Sequence, residues 1–209
     1  ERLRTVADWL AFEDLVSPSF EQAVLLKTKQ RNDAAAPATV DKVRSYAWFM
    51  VEEYIVCESA RDAAASVEEL GAPQMHAELI RSILRIAMDK DDKHRTQIGE
   101  LVSSLCVRGA VEGGEVEAGL ELLLQKVADL ALDLPKVEDY LAAFLAHFLH
   151  DNTVPETFLA SVVSLAGAER GQKVLDGVQA QLELPLQATV IKRKVRGILE
   201  EYFVSGDLR

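Results

Sequence analysis

The sequence predicts an all-α fold. Apolar residues recur at helical spacing along nearly the whole chain, strict alternation over more than four residues hardly appears, and β-branched clusters are scarce. Composition agrees with a folded chain: 49% of the 209 residues are hydrophobic and 27% charged, with only 11 Gly and 6 Pro, which excludes wholesale disorder and collagen-like or low-complexity sequence.

Taken in order, Val43, Ala47, Met50, Val51, Tyr54 and Ile55 form one face of a helix over about 42–57, with Asp41 placed as its N-cap. A second helix uses Ala60, Ala63, Ala64, Val67 and Leu70; Gly71 ends it and Pro73 opens the next, the usual asymmetry of Gly after a helix and Pro in a first turn. The third carries Met75, Leu79, Ile80, Ile83, Leu84 and Ala87, then gives way to the polar connector Asp89-Lys90-Asp91-Asp92. Further helices are expected at 94–107, 115–130, 135–150, 155–165, 171–182 and 189–204, with Gly113-Gly114 read as a turn. The short connections imply antiparallel neighbours.

Charge and cysteine usage narrow the function classes. With 34 acidic against 23 basic residues the net charge is −11, which disfavours a duplex nucleic-acid binder and favours a basic partner. Cys57 and Cys106 lie in apolar helical patterns and read as reduced core residues of an intracellular protein. No apolar run approaches the roughly 18 residues of a membrane span and no signal-peptide pattern follows Glu1, so the chain reads as soluble. Lys192-Arg193-Lys194 with Arg196 is the one basic cluster; without interleaved aromatics it reads as a solvated helix face. His147, His150 and Asp151 have the residue types of metal ligands but lack a completing partner motif, and His76 reads as structural or surface. Ser103 and Ser104 beside Cys106 have no nucleophile-elbow context and no phosphate-binding Gly loop is present, so neither an enzyme nor a cofactor is expected. Trp9, Trp48, Phe144 and Phe148 stand at core spacing.

Internal repetition bears on the domain plan. Val51-Glu52-Glu53-Tyr54-Ile55-Val56 returns as Leu199-Glu200-Glu201-Tyr202-Phe203-Val204, and Asp14-Leu15-Val16-Ser17-Pro18-Ser19-Phe20 returns loosely as Asp151-Asn152-Thr153-Val154-Pro155-Glu156-Thr157-Phe158, at similar offsets. The expected division is the closing helices of one module at 1–31, an Ala/Pro-containing linker at 32–41, a complete module at 42–166, a connecting helix or linker at 167–189, and the first helix of a further module at 190–209. A single irregular helical domain is the other reading of the same pattern. The opening Glu1 and the closing Ser205-Gly206-Asp207-Leu208-Arg209 read as a piece of a longer chain.

The acidic pair in Ala128-Asp129-Leu130-Ala131-Leu132-Asp133 is the sharpest local signal. On a continuous helix the two carboxylates share a face and repel by about 0.2–0.5 kcal/mol, near a C-terminus where the macrodipole disfavours them further. Either the helix stops short and Asp133 caps the next one through Asp133-Leu134-Pro135, or the pair faces outward to a partner; one carboxylate can serve both ends.

Four stretches resemble the MA-3 (MA3) domain family, a HEAT-like stack of helical hairpins. They are Val51-Glu52-Glu53-Tyr54; Pro73-Gln74-Met75-His76-Ala77-Glu78-Leu79 leading into Ile86-Ala87-Met88-Asp89; Leu101-Val102-Ser103-Ser104-Leu105-Cys106; and Val127-Ala128-Asp129-Leu130-Ala131-Leu132-Asp133-Leu134-Pro135, the most specific. The resemblance covers 42–166 as a complete module, extends through the flanking partial copies to most of the chain, and implies tandem MA-3 repeats, as in plant members with several copies. It implies binding to eukaryotic initiation factor 4A, the DEAD-box RNA helicase of translation initiation, through Asp89, Asp129, Asp133 and Pro135, and inhibition of cap-dependent initiation. Asp89 stands where relatives often carry Glu, with Asp91 and Asp92 as stand-ins. The small ribosomal subunit or other initiation factors are further partners under this reading, RNA contact is weak or indirect, no membrane is involved, and the place is the cytoplasm, with the nucleus also open. A scaffold that activates the same helicase and a ribosome-associated helical scaffold are the alternatives.

Overall fold

The structure is a computed structural model that describes residues 39–183. Within them the chain forms α1 (Val40–Cys57), α2 (Ala60–Leu70), a 3-10 turn (Pro73–Met75), α3 (His76–Met88), α4 (Asp92–Val107), α5 (Gly113–Leu124), α6 (Val127–Asp133), α7 (Val137–His150), a second 3-10 turn (Glu156–Phe158), α8 (Leu159–Ala166) and α9 (Ala168–Glu183), and no strand. The expected segments 1–31 and 190–209, the helix at 189–204, Trp9 and the Lys192–Arg196 cluster lie outside the described residues.

Side-chain caps set four of the helix starts. Thr39, not Asp41, caps α1: its hydroxyl accepts from the Lys42 N–H at 3.3 Å, and Asp41 lies in the first turn, where negative charge is favoured. Thr39, Val40 and Asp41 therefore belong to the cap and first turn of α1 and not to a linker. Ser59 caps α2, and Gly71 ends it in the left-handed conformation at φ 59°. Asp91 caps α4, which begins at Asp92, two residues before its expected start. Glu112 and Glu115 make a reciprocal capping box, so Gly113 and Gly114 are the first residues of α5 and not a turn. A Cβ on Gly113 would come within 2.8 Å of the Thr153 carbonyl oxygen.

The expected helix at 115–130 is two helices. The Lys126 N–H bonds the Leu123 carbonyl at 3.0 Å, an i to i−3 bond that tightens the turn, and Lys126 itself (φ −107°, ψ 7°) redirects the chain into α6. Leu120, Leu123, Leu124 and Val127 are all buried, so the apolar period runs through the break and hides it from the sequence.

The helices stack in two rows. Along one, α1 packs on α3, α3 on α5 and α5 on α8; along the other, α2 meets α4, α4 meets α7 and α7 meets α9, while α1–α2, α3–α4 and α8–α9 are hairpins. This is a HEAT-like stack, with Leu79, Ile80, Ile83, Leu84, Ile98, Leu101, Leu120, Leu141, Leu145 and Phe148 essentially inaccessible between the rows. Each such side chain contributes about 1.5–3 kcal/mol by leaving water. At Gly119 a Cβ would lie 2.8 Å from Ile80 Cγ2 and 3.0 Å from the Ala77 carbonyl oxygen, so α3 and α5 approach closely because that residue has no side chain.

Expected as a connector, α9 is tied to the stack: Val174 and Val178 join the same core, and Arg170 pairs with the buried Glu138 of α7. Cys57 is exposed at the end of α1, and not a core residue; Cys106 is partly buried, which pushes its thiol up to about 11. Trp48 is only partly buried and meets Phe49 edge-on at 5.7 Å, whereas Phe144 and Phe148 are in the core.

Candidate functional site

The short helix α6 is anchored by Val127, which is buried, and by Leu130 and Ala131, which are partly buried. At 100° per residue these share one side, leaving Ala128, Asp129, Leu132 and Asp133 to water on the other. Because the chain breaks at Lys126, Asp129 stands in the first turn of α6, where the helix end favours it, and not near a C-terminus as a continuous helix would have placed it. The Asp129 side chain is 75% exposed, with Lys126 Nζ at 3.7 Å, an exposed pair worth no more than about 1 kcal/mol.

Asp133 is the last residue of α6, is exposed, and has no hydrogen bond or ion pair among the described residues. It does not cap α7: the N-cap there is Lys136, with no side-chain bond. Pro135 is exposed between the two helices, and Leu132 is 83% exposed. An outward apolar residue beside two outward carboxylates could not be read from the sequence, because Leu132 fits a core stripe as well as Leu130 does.

Asp89 closes α3 and is exposed, accepting from Arg85 Nη1 at 2.7 Å. Of its two stand-ins, Asp91 is held below the usual carboxylate range chiefly by the His94 backbone N–H it caps, aided by the His94 ring. Asp92 pairs with Arg95.

The hairpin topology puts the α3–α4 connection and the segment from α6 into α7 at the same end of the stack. Arg95, in the first turns of α4, bonds the Lys90 carbonyl at 2.5 Å and lies 3.8 Å from the centroid of the Tyr140 ring on α7. Asp92, Arg95, Lys136, Asp139, Tyr140 and His147 line one groove of about 440 Å³ between α4 and α7. The structure thus exposes Asp129 and Asp133 on the outer side of α6, with Pro135 exposed two residues further on, and places Asp89 on the α3–α4 connection. Arg95, Tyr140 and Lys136, which join the two, carry no sequence motif.

Two other candidate clusters resolve into packing. Ser103 Oγ and Asp151 Oδ2 both lie 3.3 Å from the same His147 nitrogen, Nε2, so no serine–histidine–carboxylate relay is formed, since a relay needs the two ring nitrogens. His76 is buried and its Nδ1 is 3.0 Å from Glu115, which ties α3 to α5. Among the described residues no group of three or more His, Cys, Asp or Glu side chains is placed to hold a metal ion, and no helix is long and apolar enough to cross a membrane.

Helical hairpins stacked in this way define a HEAT-like domain, and the comparison with known proteins agrees. Residues 43–155 match the MA3 domain, and the chain belongs to that family. It is 28% identical over 177 residues to MA3 domain-containing translation regulatory factor 4 of Arabidopsis thaliana, covering 77% of this chain and 28% of that protein. It is 26% identical over 120 residues to eukaryotic translation initiation factor 4 gamma 1 of Mus musculus (57% of this chain, 8% of that protein). It is 22% identical over 175 residues to programmed cell death protein 4 of Gallus gallus (76% of this chain, 37% of that protein). The chain therefore spans well under half the length of these relatives.

Proposed function

We propose that this chain regulates translation initiation by docking the α6 acidic face on eukaryotic initiation factor 4A. Family membership and the names of the relatives, translation regulatory factors and an initiation factor, support the translational setting. The observation that carries the docking is Asp133, exposed, unpaired among the described residues and ill-placed for its own helix, beside Asp129, Leu132 and Pro135. Carboxylates on such a face meet Arg and Lys of the helicase; Leu132 and Pro135 supply an apolar centre; and with net charge −11 steering raises the association rate more than the final affinity. Holding the helicase domains apart then prevents productive binding of ATP and RNA, which inhibits initiation.

The test is calorimetric titration of the helicase with Asp129→Ala/Asp133→Ala. Affinity should fall at least about tenfold, with thermal stability unchanged to within about 0.5 kcal/mol; unchanged affinity removes this face from the contact. The helicase ATPase assay gives the sign, since stimulation in place of inhibition would establish the activating scaffold, the reading that similarity to initiation factor 4 gamma 1 favours.

A further inference from the structure

We infer that Arg95 is a positioning residue that clasps the two acidic segments, around Asp89 and around Asp133, into one preformed face. The inference deepens the docking reading and rests on it for its functional consequence. Arg95 is an arginine at 9% exposure, and its two terminal nitrogens and its planar face each meet a partner. Nη1 donates to Asp92 Oδ1 and Nη2 to the Lys90 carbonyl, both at 2.5 Å, while the guanidinium carbon stands 3.8 Å from the centroid of the Tyr140 ring. Lys90 in turn donates through Nζ to Glu52 of α1. The contacts run from α1 through the α3–α4 connection and α4 to the first turns of α7. One end is a single residue from Asp89; at the other, Tyr140 donates its backbone N–H to Lys136, which follows Pro135.

Fold stability does not account for this choice of residue. The anionic partner, Asp92, is 98% exposed, and the buried Nε–H of Arg95 has no partner among the described residues. A buried cation so paired is commonly no better for stability than an apolar side chain of the same size. What an apolar residue or a lysine lacks is the planar fork, which bonds the carboxylate at the start of α4 and the Lys90 loop carbonyl at once while its face stacks on a ring. A face held rigid before contact loses less entropy on binding.

The test compares the full chain with Arg95→Met and Arg95→Lys by amide hydrogen exchange and by titration of initiation factor 4A. Both variants should keep the melting temperature and the slow exchange of core amides such as Leu101 and Leu145, but exchange about tenfold faster at Lys90 and Tyr140. Each should bind the helicase about tenfold more weakly, and the effects of Asp89→Asn and Asp133→Asn, coupled in the wild type, should become additive. Unchanged exchange at Lys90 and Tyr140, faster exchange throughout the core, or full restoration by Lys would each overturn the clasp. Faster local exchange with unchanged affinity would overturn its role in docking. Failure of the wild type to bind the helicase would refute the docking reading, while the exchange data still decide whether the clasp exists.

Discussion

At Asp133 a carboxylate sits on the last residue of a seven-residue helix, where carbonyl groups point the same way and no described neighbour offsets it. Asp133→Asn should leave the fold as stable or raise it by a few tenths of a kcal/mol, read by denaturant melts, while weakening a basic partner. Leu132 makes the complementary case: at 83% exposure, Leu132→Ser removes no core contact, so stability should stay within about 0.5 kcal/mol while helicase affinity drops. Unaltered affinity would assign Leu132 to ordinary surface. Glu78 is a residue whose charge does serve the fold. Burial alone would raise its carboxyl, but bonds from Arg81 and Arg44 outweigh that and hold it below the usual carboxylate range. A lowered folded value means the unfolded chain binds the proton more readily. The stabilisation is therefore complete above the unfolded value and is lost as pH falls through the lowered folded one. Glu78→Gln should thus be less stable than wild type at pH 7, with the gap closing on acidification; a constant gap would show that packing, not charge, is responsible.

Among the elements, the α3–α5 contact gives a direct test of packing. Gly119→Val would drive side-chain atoms into Ile80 and the Ala77 carbonyl, so it should destabilise by about 1–3 kcal/mol in chemical denaturation, against near neutrality for the open Gly114. Helices with strong stripes were readable in advance: α3 buries Leu79, Ile80, Ile83, Leu84 and Ala87 as its spacing requires, and Gly71 and Pro73 punctuate the chain where Gly and Pro usually do. Boundaries set by side-chain caps were less so, because Thr39, Asp41 and Asp91 are all residues able to cap, and only the backbone shows which one does. The break at Lys126 was invisible for another reason: no Gly or Pro marks it and the buried residues keep period across it. That break changes the site, since it places Asp129 at the favourable end of α6 and leaves only Asp133 unexplained by local energetics. Arg95 and Tyr140 could not be found from spacing, for their meeting depends on how α4 packs on α7.

For the molecule as a whole, two rows of helices joined at alternate ends gather the α3–α4 connection and the α6 segment at one end of the stack. A surface of this kind, with a net charge of −11 behind it, should bind a basic partner more weakly as salt rises from low to physiological strength, most steeply in association rate. Under the proposed function, this end is what the helicase touches. Backbone amide chemical-shift mapping of the isotope-labelled chain titrated with initiation factor 4A tests it most directly. Shifts should concentrate at Asp89, Lys90, residues 128–134 and Lys136; shifts confined to α2 or α9, with those positions silent, would put the contact elsewhere.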